Sequence, residues 1–363
     1  MCAVGQSLAP SRQIWSNDLQ AFASLVAKCQ FCSTQDAPEP RSIEILLGDI
    51  FDRHLSTMER EHSVELSSER DALASEDAGS LLATFETRIF VANRIQSGAG
   101  SRHKLFFERY AGTYFGVRQS AEIDSIRYAI DVATDEGDLR DWCLVALCSA
   151  VSRCASTTGH FAQPLTPKPN NIGKMVNQRR RSVWHEFLDA LGRLAAIGSQ
   201  AWRTGNRTFQ ADALSLLRGR ERLADVRLVY ADPPYTSDQY SRYYHIYETL
   251  ILYDYPAARG RGLYRDDRAV SSFSHATKVS ASIERLIASV HAIGADLILS
   301  YPSNGLLPNS KAQITSMFRQ HYGHDPDVVP LAHSHSTMGA SKGTATHQVV
   351  ELLYRARAHN VAV

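Results

Sequence analysis

The chain has 363 residues, of which 44% are hydrophobic and 21% are charged, and its formal net charge is +1. This is the composition of an ordinary soluble globular chain with one large or two modest domains. No apolar stretch reaches membrane-spanning length and no secretion signal opens the sequence, so we expect a cytoplasmic protein with no membrane partner. The near-neutral charge does not exclude nucleic acid, because DNA binding needs only a local basic patch.

The first predicted elements are a strand at residues 13–16 and a helix at residues 19–31, whose apolar residues have helical spacing. Asp18 lies between them. It is either a cap of the helix or, as in nucleotide-binding α/β folds, an acid at a strand end that accepts hydrogen bonds from ribose hydroxyls. Cys29 and Cys32 form a lone C-x-x-C without a second pair, so the sequence argues against a zinc or redox site there.

Residues 33–100 are polar and predict little chemistry. The Glu-, Arg- and Ser-rich stretch 56–76 predicts a solvated helix, and residues 98–103 predict a loop. Residues 124–157 have a helical pattern throughout and are apolar on more than one face, which indicates a buried position. Gly112 and Gly116 lie in a segment that superficially resembles a cofactor-binding glycine loop.

A basic segment follows, in which Pro164, Pro167 and Pro169 predict irregular structure. Its positive charges have two interpretations. They are either ordinary solvated side chains or contacts to DNA phosphates in a target-recognition element. The residues concerned are Lys168, Lys174, Arg179, Arg180 and Arg181.

Two further strands are predicted before the centre of the chain. Residues 208–214 read as a short strand ending in an acid, Asp212, which is a candidate ligand or the cap of the next helix. Residues 228–231, Leu-Val-Tyr-Ala, are an apolar run too short for a helix and predict a buried strand.

The second of these strands leads directly into the most informative motif, Asp232-Pro233-Pro234-Tyr235. The two prolines end the strand and fix two successive φ angles, so the Asp232 carboxylate and neighbouring carbonyls are held at the strand's carboxyl end. The corner offers acceptors without donors, which suits an exocyclic amine, and Tyr235 offers a ring on which a base can stack. The chemistry indicated is attack by an amino nitrogen on an electrophilic methyl group.

The remaining predicted elements belong to the same sheet. Residues 296–301 predict a buried strand whose loop, at 300–305, would lie beside the corner and line a base pocket with Tyr301. Residues 335–342 predict a small-residue loop and residues 348–354 a last strand, which would close the sheet as a hairpin. His245 and His335 have no predicted partner and are interpreted as structural.

The motif and its continuation, QYSRYYHIYETL, resemble the DNA adenine methylase family of adenine-specific (N6) DNA methyltransferases. The order of parts resembles the family's alpha group, with recognition in an insert. The resemblance implies S-adenosylmethionine as cofactor, with Asp18 on its ribose and Asp212 on its adenine. The segment WSNDLQAFASLVAKCQ is similar to the family's ribose-binding segment.

The same resemblance implies an α/β fold. It is a methyltransferase Rossmann-like sheet formed by residues 1–32 and 205–363, with a mainly helical insert at 33–204 for target recognition. Only the end of the family's glycine loop is recognisable, with Gly5 as its last glycine, so we expect an N-terminally incomplete sheet. Gly112 and Gly116 are not expected to replace that loop, because similar YFG and EIDSIRYAI sequences occur in family members besides the true loop.

The predicted activity is methyl transfer from S-adenosylmethionine to N6 of a flipped adenine in DNA, catalysed by Asp232, Pro233, Pro234 and Tyr235 without a metal. DNA is the predicted partner, together with a cognate restriction endonuclease if the enzyme belongs to a restriction system. Two alternatives stay open. A similar tetrapeptide occurs in RNA amino-methyltransferases, and the incomplete amino terminus fits an inactive DNA-binding remnant.

Overall fold

A computed structural model of the chain describes residues 12–100, 102–219, 223–336 and 346–358. Gly5 and most of the predicted loop at 335–342 lie outside them. The described chain is mixed α/β, as predicted, and its contacts divide it into two units. The first contains the residues up to Gln210 together with Tyr243–Arg268, and the second contains Ala211–Arg242 and the residues from Ala269 onward. The predicted division, with a methyltransferase domain from 1–32 and 205–363 and a helical insert at 33–204, stays a prediction.

The first unit is mainly helical. None of the helices in the described ranges has the length and apolarity needed to span a membrane. The helices are α1 Ala21–Phe31, α2 Pro40–Glu61, α3 Ser63–Ser75, α4 Ala78–Ala92, α5 Leu105–Tyr110, α6 Val117–Ala133, α7 Asp138–Cys154, α8 Ile172–Arg179, α9 Val183–Leu191 and α10 Gln200–Arg203. Helix α12, Tyr240–Tyr243, precedes α13, His245–Leu252, and α13 belongs to this unit.

Helices α2, α6, α7 and α9 enclose the main core of the first unit. On α2 the buried residues recur every three or four positions, which places them on one face: Ile43, Leu47, Phe51, Leu55 and Met58. Helix α7 is buried on several faces, as its sequence predicts, and its Trp142 packs against Cys29 of α1. The predicted solvated helix at 56–76 is instead the end of α2 followed by α3, and α3 buries Glu69.

Two short parallel strands also belong to the first unit. Strand β1, Trp15–Asp18, pairs with β2, Arg207–Gln210, so that Asp18 lies opposite Gln210. Asn206 fixes this pair to the end of α1: its side-chain oxygen accepts from the Ile14 N–H at 2.8 Å, and its amide donates to the Phe31 carbonyl at 2.7 Å. The antiparallel pair of β4, Ala258–Arg259, and β5, Tyr264–Arg265, completes the strands of this unit.

The second unit contains a four-stranded sheet in the order β3-β6-β8-β7. Strand β3, Leu228–Ala231, is parallel to β6, Asp296–Pro302, and the long hairpin of β7, Asp327–Ser336, and β8, Thr346–Ala356, is antiparallel to β6. This confirms the closing hairpin. The helices are α11 Ala213–Arg218, α14 Val279–Ala292 and α15 Ser310–Tyr322, with a 3-10 turn at Ser272–Ser274.

Strands β3 and β6 differ in burial. Strand β6 is the buried strand predicted from its apolar run, because it has neighbours on both sides. Strand β3 has the predicted limits, but the prediction that it is buried is wrong. Among the described strands it pairs only with β6, and Leu228 and Tyr230 are 53% and 54% exposed. An apolar run in an edge strand has the same sequence as one in a central strand, so the sequence alone does not distinguish them.

Candidate active site

The Asp-Pro-Pro-Tyr corner lies at the carboxyl end of β3. The strand ends at Ala231, whose partner on β6 is Leu299. Asp232 is exposed and Pro233 is buried, so the chain turns inward immediately after the carboxylate. Neither proline has an N–H to donate, and the corner therefore presents acceptors, as the sequence predicts.

The loop after β6 lies beside this corner, as predicted. The Leu306 N–H donates to the Tyr235 carbonyl at 2.8 Å, and the Leu307 N–H donates to the Tyr301 hydroxyl at 3.0 Å. A Cβ on Gly305 would lie 2.6 Å from the Tyr301 ring, so the close approach of loop and ring requires glycine at this position. Tyr301 has no exposed surface, and its placement suits support of the corner from beneath more than direct contact with DNA.

Polar side chains from two other strands surround the corner. The Ser300 hydroxyl on β6 donates to the Glu351 carboxylate on β8, and Tyr230 is hydrogen-bonded to the Ser300 side chain. Burial and the nearby Asp232 charge raise the pKa of Tyr230 and of Tyr235, so both hydroxyls stay protonated at neutral pH. Sequence reasoning missed Glu351, although an isolated acid in the apolar run QVVELLY is a signal for it.

Asp18 lies in the first unit, at the carboxyl end of β1. Its Oδ1 accepts from the Gln20 N–H at 2.8 Å. Burial raises the pKa of this carboxyl group, while the backbone N–H groups of Gln20 and Leu19 act in the opposite direction. The neighbouring Tyr244 also has a raised pKa, because of its burial and the Asp18 charge. Phe22 packs against the Tyr244 ring, with 5.4 Å between centroids, so aromatic rings lie beside the carboxylate.

Glu248 on α13 caps α1, whereas the Asp18 carboxylate accepts from Gln20, the residue before the helix, so the cofactor role of Asp18 stays a prediction. The first backbone N–H groups of α1, from Ala21 and Phe22, donate to the two carboxylate oxygens of Glu248 at 2.9 and 3.1 Å. A carboxylate at a helix amino terminus satisfies two otherwise unpaired donors and is favoured by the helix dipole. The sequence did not reveal this role, because Glu248 is 226 or more positions away from the groups that it binds.

Asp212, in the second unit, caps α11. Its Oδ1 accepts from both the N–H and the hydroxyl of Ser215, each at 2.9 Å. Asp212 therefore has the capping role that was one of its two predicted roles. Since both of these bonds go to Oδ1, the cap is compatible with a second contact, and the cofactor role of Asp212 stays a prediction.

The predicted basic segment divides into exposed and buried cations. Lys168, Lys174, Arg180 and Arg181 are exposed. The Arg179 side chain has no exposed surface; its guanidinium lies 3.3 Å from the Glu69 carboxylate and donates to the Gly112 carbonyl at 3.0 Å. Arg179 is therefore committed to internal contacts. The irregular structure predicted from the prolines ends before α8, a helix that the sequence analysis did not predict.

The glycine-containing segment 110–116 is a buried turn between two helices. It follows α5 and precedes α6, and Gly112 has the positive φ of 74° that this turn requires. A cofactor-binding glycine loop follows a strand. The local structure thus agrees with the interpretation that Gly112 and Gly116 do not form such a loop.

One known family matches more than half of the chain. A family model described as D12 class N6 adenine-specific DNA methyltransferase matches residues 87–301, which include the Asp232–Tyr235 corner. No solved structure shows a significant match to the chain.

Three relatives are methyltransferases or methylases by name. The chain is 28% identical to the type II methyltransferase M.FokI of Planomicrobium okeanokoites over 57% of this chain and 29% of that protein. It is 25% identical to the type II methyltransferase M.NlaIII of Neisseria lactamica, over 58% of this chain and 57% of that protein. A shorter segment is 32% identical to the modification methylase LlaI of Lactococcus lactis subsp. lactis, over 28% of this chain and 16% of that protein. The alignments thus span at most 57% of these relatives.

Proposed function

The chain belongs to the D12 class of N6 adenine-specific DNA methyltransferases, and from this premise we propose that it transfers a methyl group from S-adenosylmethionine to N6 of an adenine in DNA. The observation that carries the proposal is the position of Asp232-Pro233-Pro234-Tyr235 at the carboxyl end of β3, beside the loop that follows β6. Ligands of open α/β sheets lie at this end of the strands.

The chain's own residues account for binding and orientation of the target amine. Asp232 and the carbonyls at the prolines accept the two N–H bonds of the amino group, which turns the nitrogen lone pair out of the ring. Tyr235 stacks on the base, and its raised pKa keeps it neutral beside Asp232. A base in a duplex is out of reach of such a corner, so the adenine is flipped out.

The proposed donor is held by the residues around Asp18. When bound, S-adenosylmethionine supplies an activated methyl group on its sulfonium, and no metal is needed for this activation. The carboxylate of Asp18 at the end of β1 suits ribose hydroxyls, and the Phe22 and Tyr244 rings suit an adenine face. Asp212 is proposed as a second contact to that adenine.

The architecture that we propose for this activity is a Rossmann-like catalytic domain from residues 1–32 and 205–363 with a recognition region at 33–204. The parallel pairs β1–β2 and β3–β6 support the first part. The exposed cations of the second part support DNA phosphate contact: Lys168, Lys174, Arg180 and Arg181. A cognate restriction endonuclease is a further proposal, since the named relatives are type II methyltransferases and a modification methylase.

The test is methyl transfer from tritiated S-adenosylmethionine to DNA and to RNA, with Asp232→Asn beside wild type. The substitution keeps the shape and replaces an acceptor by a donor, so we expect transfer to DNA to fall about 100-fold or more, the usual effect of losing one preorganised polar contact to a reacting group. DNA affinity should stay within a few fold. Asp225→Asn, an exposed carboxylate of the same unit, is the matched control.

Two results would contradict the proposal. Near wild-type transfer by Asp232→Asn would remove the corner from the mechanism. Methylation of RNA in preference to DNA would assign the activity to the RNA-modifying alternative.

A further inference from the structure

A cavity of about 240 Å³ lies in the first unit, and none of the residues proposed above for catalysis or cofactor binding lines it. Its walls come from α6, α7, the segment before α5, and the end of α13 with the segment after it. Three arginines, Arg102, Arg127 and Arg140, line it together with His103 and a single carboxylate, Asp131. Three guanidinium groups thus share this cavity with a single carboxylate.

Asp131 is shared by several donors. Its Oδ1 accepts from Arg127 and Arg140, and its Oδ2 lies 3.0 Å from Nε2 of His103. Burial alone would raise the pKa of Asp131, but these three partners hold it well below its ordinary range, so the carboxylate is ionised. One negative charge cancels one of the three guanidinium charges. Two positive charges at this cavity are left without an opposite charge from its lining residues.

The arginines keep donor groups that the described residues do not satisfy. The Arg127 side chain is only 6% exposed, and besides Asp131 its contacts are the Leu250 carbonyl, 3.4 Å from Nε, and the Tyr253 ring, 5.0 Å from the guanidinium carbon. Arg140 contacts Asp131 through one terminal nitrogen. Within the described ranges no carboxylate pairs with Arg102. Arg102 is exposed and the Arg140 side chain is 20% exposed, so their remaining N–H groups are accessible to an additional acceptor beside the buried Arg127.

The backbone around the cavity is strained. His103, Tyr253 and Tyr255 have φ values of 58°, 48° and 53°, and they are three of the six non-glycine residues with left-handed φ in the described chain. Bulky side chains rarely adopt this conformation, and such residues cluster at ligand-binding sites. Both tyrosines are anchored: the Tyr253 hydroxyl donates to Asp124, and the Tyr255 hydroxyl accepts from the Lys104 N–H at 2.9 Å.

We propose that this cavity is a binding site for an oxoanion of the phosphate class. Planar guanidinium groups bind phosphate oxygens through paired N–H bonds, and several arginines converging on one space is the usual arrangement for such groups. The volume of about 240 Å³ is below the roughly 300–1,000 Å³ of sites for drug-sized ligands, so it suits a phosphate group and not a dinucleotide. The phosphate belongs either to the DNA backbone or to a small phosphorylated molecule.

The experiment is a titration of the full chain with sodium phosphate against sodium chloride at equal ionic strength, followed by thermal unfolding and calorimetry. We expect phosphate to raise Tm in a concentration-dependent way, because a ligand that binds the folded state stabilises it. Arg102→Gln and Arg140→Gln should each weaken phosphate binding at least tenfold. Arg70→Gln, an exposed arginine of α3, should leave it unchanged.

Arg102→Gln removes no ion pair within the described ranges, so its folding in chloride is expected to match wild type. The proposal is overturned if phosphate gives no more stabilisation than chloride, or if both cavity variants bind phosphate as wild type does. A DNA titration then identifies the source. If Arg102→Gln weakens binding of a duplex oligonucleotide and phosphate competes with that duplex, the ligand is a backbone phosphate; if only phosphate binding is weakened, the ligand is a small phosphorylated molecule.

Discussion

Replacing Arg179 by alanine tests whether the basic segment serves folding or DNA contact at this position. The Arg179 guanidinium is completely buried, the Glu69 side chain is 6% exposed, and their charged atoms are 3.3 Å apart. Arg179→Ala leaves the Glu69 carboxylate and the Gly112 carbonyl without this donor inside the protein. Removing one partner of a buried ion pair costs about 3–5 kcal/mol, a large fraction of the roughly 5–15 kcal/mol by which domains are stable.

The assay is urea unfolding followed by circular dichroism, with Arg180→Ala as control. Arg180 is exposed and donates to the Leu73 carbonyl at 2.9 Å, so its loss should change the free energy of unfolding by no more than about 0.5 kcal/mol. A double variant, Glu69→Leu with Arg179→Met, removes both charges and keeps most of the volume. It should recover most of the loss, because an apolar pair of similar size often replaces a buried ion pair without cost.

DNA binding distinguishes the two roles. Arg180→Ala and Arg181→Ala should weaken duplex binding on every sequence and lower the salt dependence of affinity by about one phosphate contact each. Arg179→Ala should affect DNA only as far as it unfolds the protein. An Arg179→Ala variant that is as stable as wild type but binds DNA weakly would contradict this assignment, since the Arg179 guanidinium of the wild type would then be an accessible DNA contact.

Substitutions at three other positions test the site and its surroundings. Tyr235→Ala should lose stacking of the target base worth about 1–3 kcal/mol in affinity for DNA with an unpaired adenine, whereas Tyr235→Phe should keep most of it. Glu248→Gln should lower the free energy of unfolding by about 1–2 kcal/mol, because α1 loses its charged cap beside Asp18. It should also weaken the binding of S-adenosylmethionine measured by calorimetry. Binding equal to that of the wild type would show that the cap does not affect cofactor binding. Burial raises the pKa of Asp124 from 3.8 to about 7, although hydrogen bonds from Tyr253 and two backbone N–H groups lower it in part. The folded state therefore keeps this proton to higher pH than the unfolded chain, so stability falls between about pH 4 and pH 7, and Asp124→Asn should flatten Tm over that window.

The local parts of this structure were predictable from sequence. Strand β3 has the limits that its apolar run predicts, the corner follows it, and the strands β6 and β8 come where their patterns place them. Each of these features depends on residues that are neighbours in sequence, such as an apolar run or two consecutive prolines. The chemistry proposed for the corner depends on a local signal of the same kind, since four consecutive residues contain it, and it stays a prediction.

Contacts between distant residues account for what the sequence did not predict. Glu248 caps a helix that begins more than 220 residues earlier, and Glu69 pairs with Arg179 across 110 positions. A charged residue has the same appearance in sequence whether it is solvated or paired inside a protein, so Arg179 was grouped with its exposed neighbours. Exposure of β3 likewise depends on which strands pair with it, and strand order is not encoded in the run itself.

The division of the chain into two units has a consequence for the order in which the protein folds during synthesis. The first unit needs Tyr243–Arg268, which contribute the Glu248 cap, the His245 contact to the Phe161 carbonyl and the tyrosine anchors at 253 and 255. At roughly 5–20 residues per second, the ribosome reaches residue 268 about 3–12 s after residue 210. Until then the amino terminus of α1 lacks its Glu248 cap and the helical core is incomplete. The first unit is therefore still unfinished when the first strand of the second unit, β3, is synthesised.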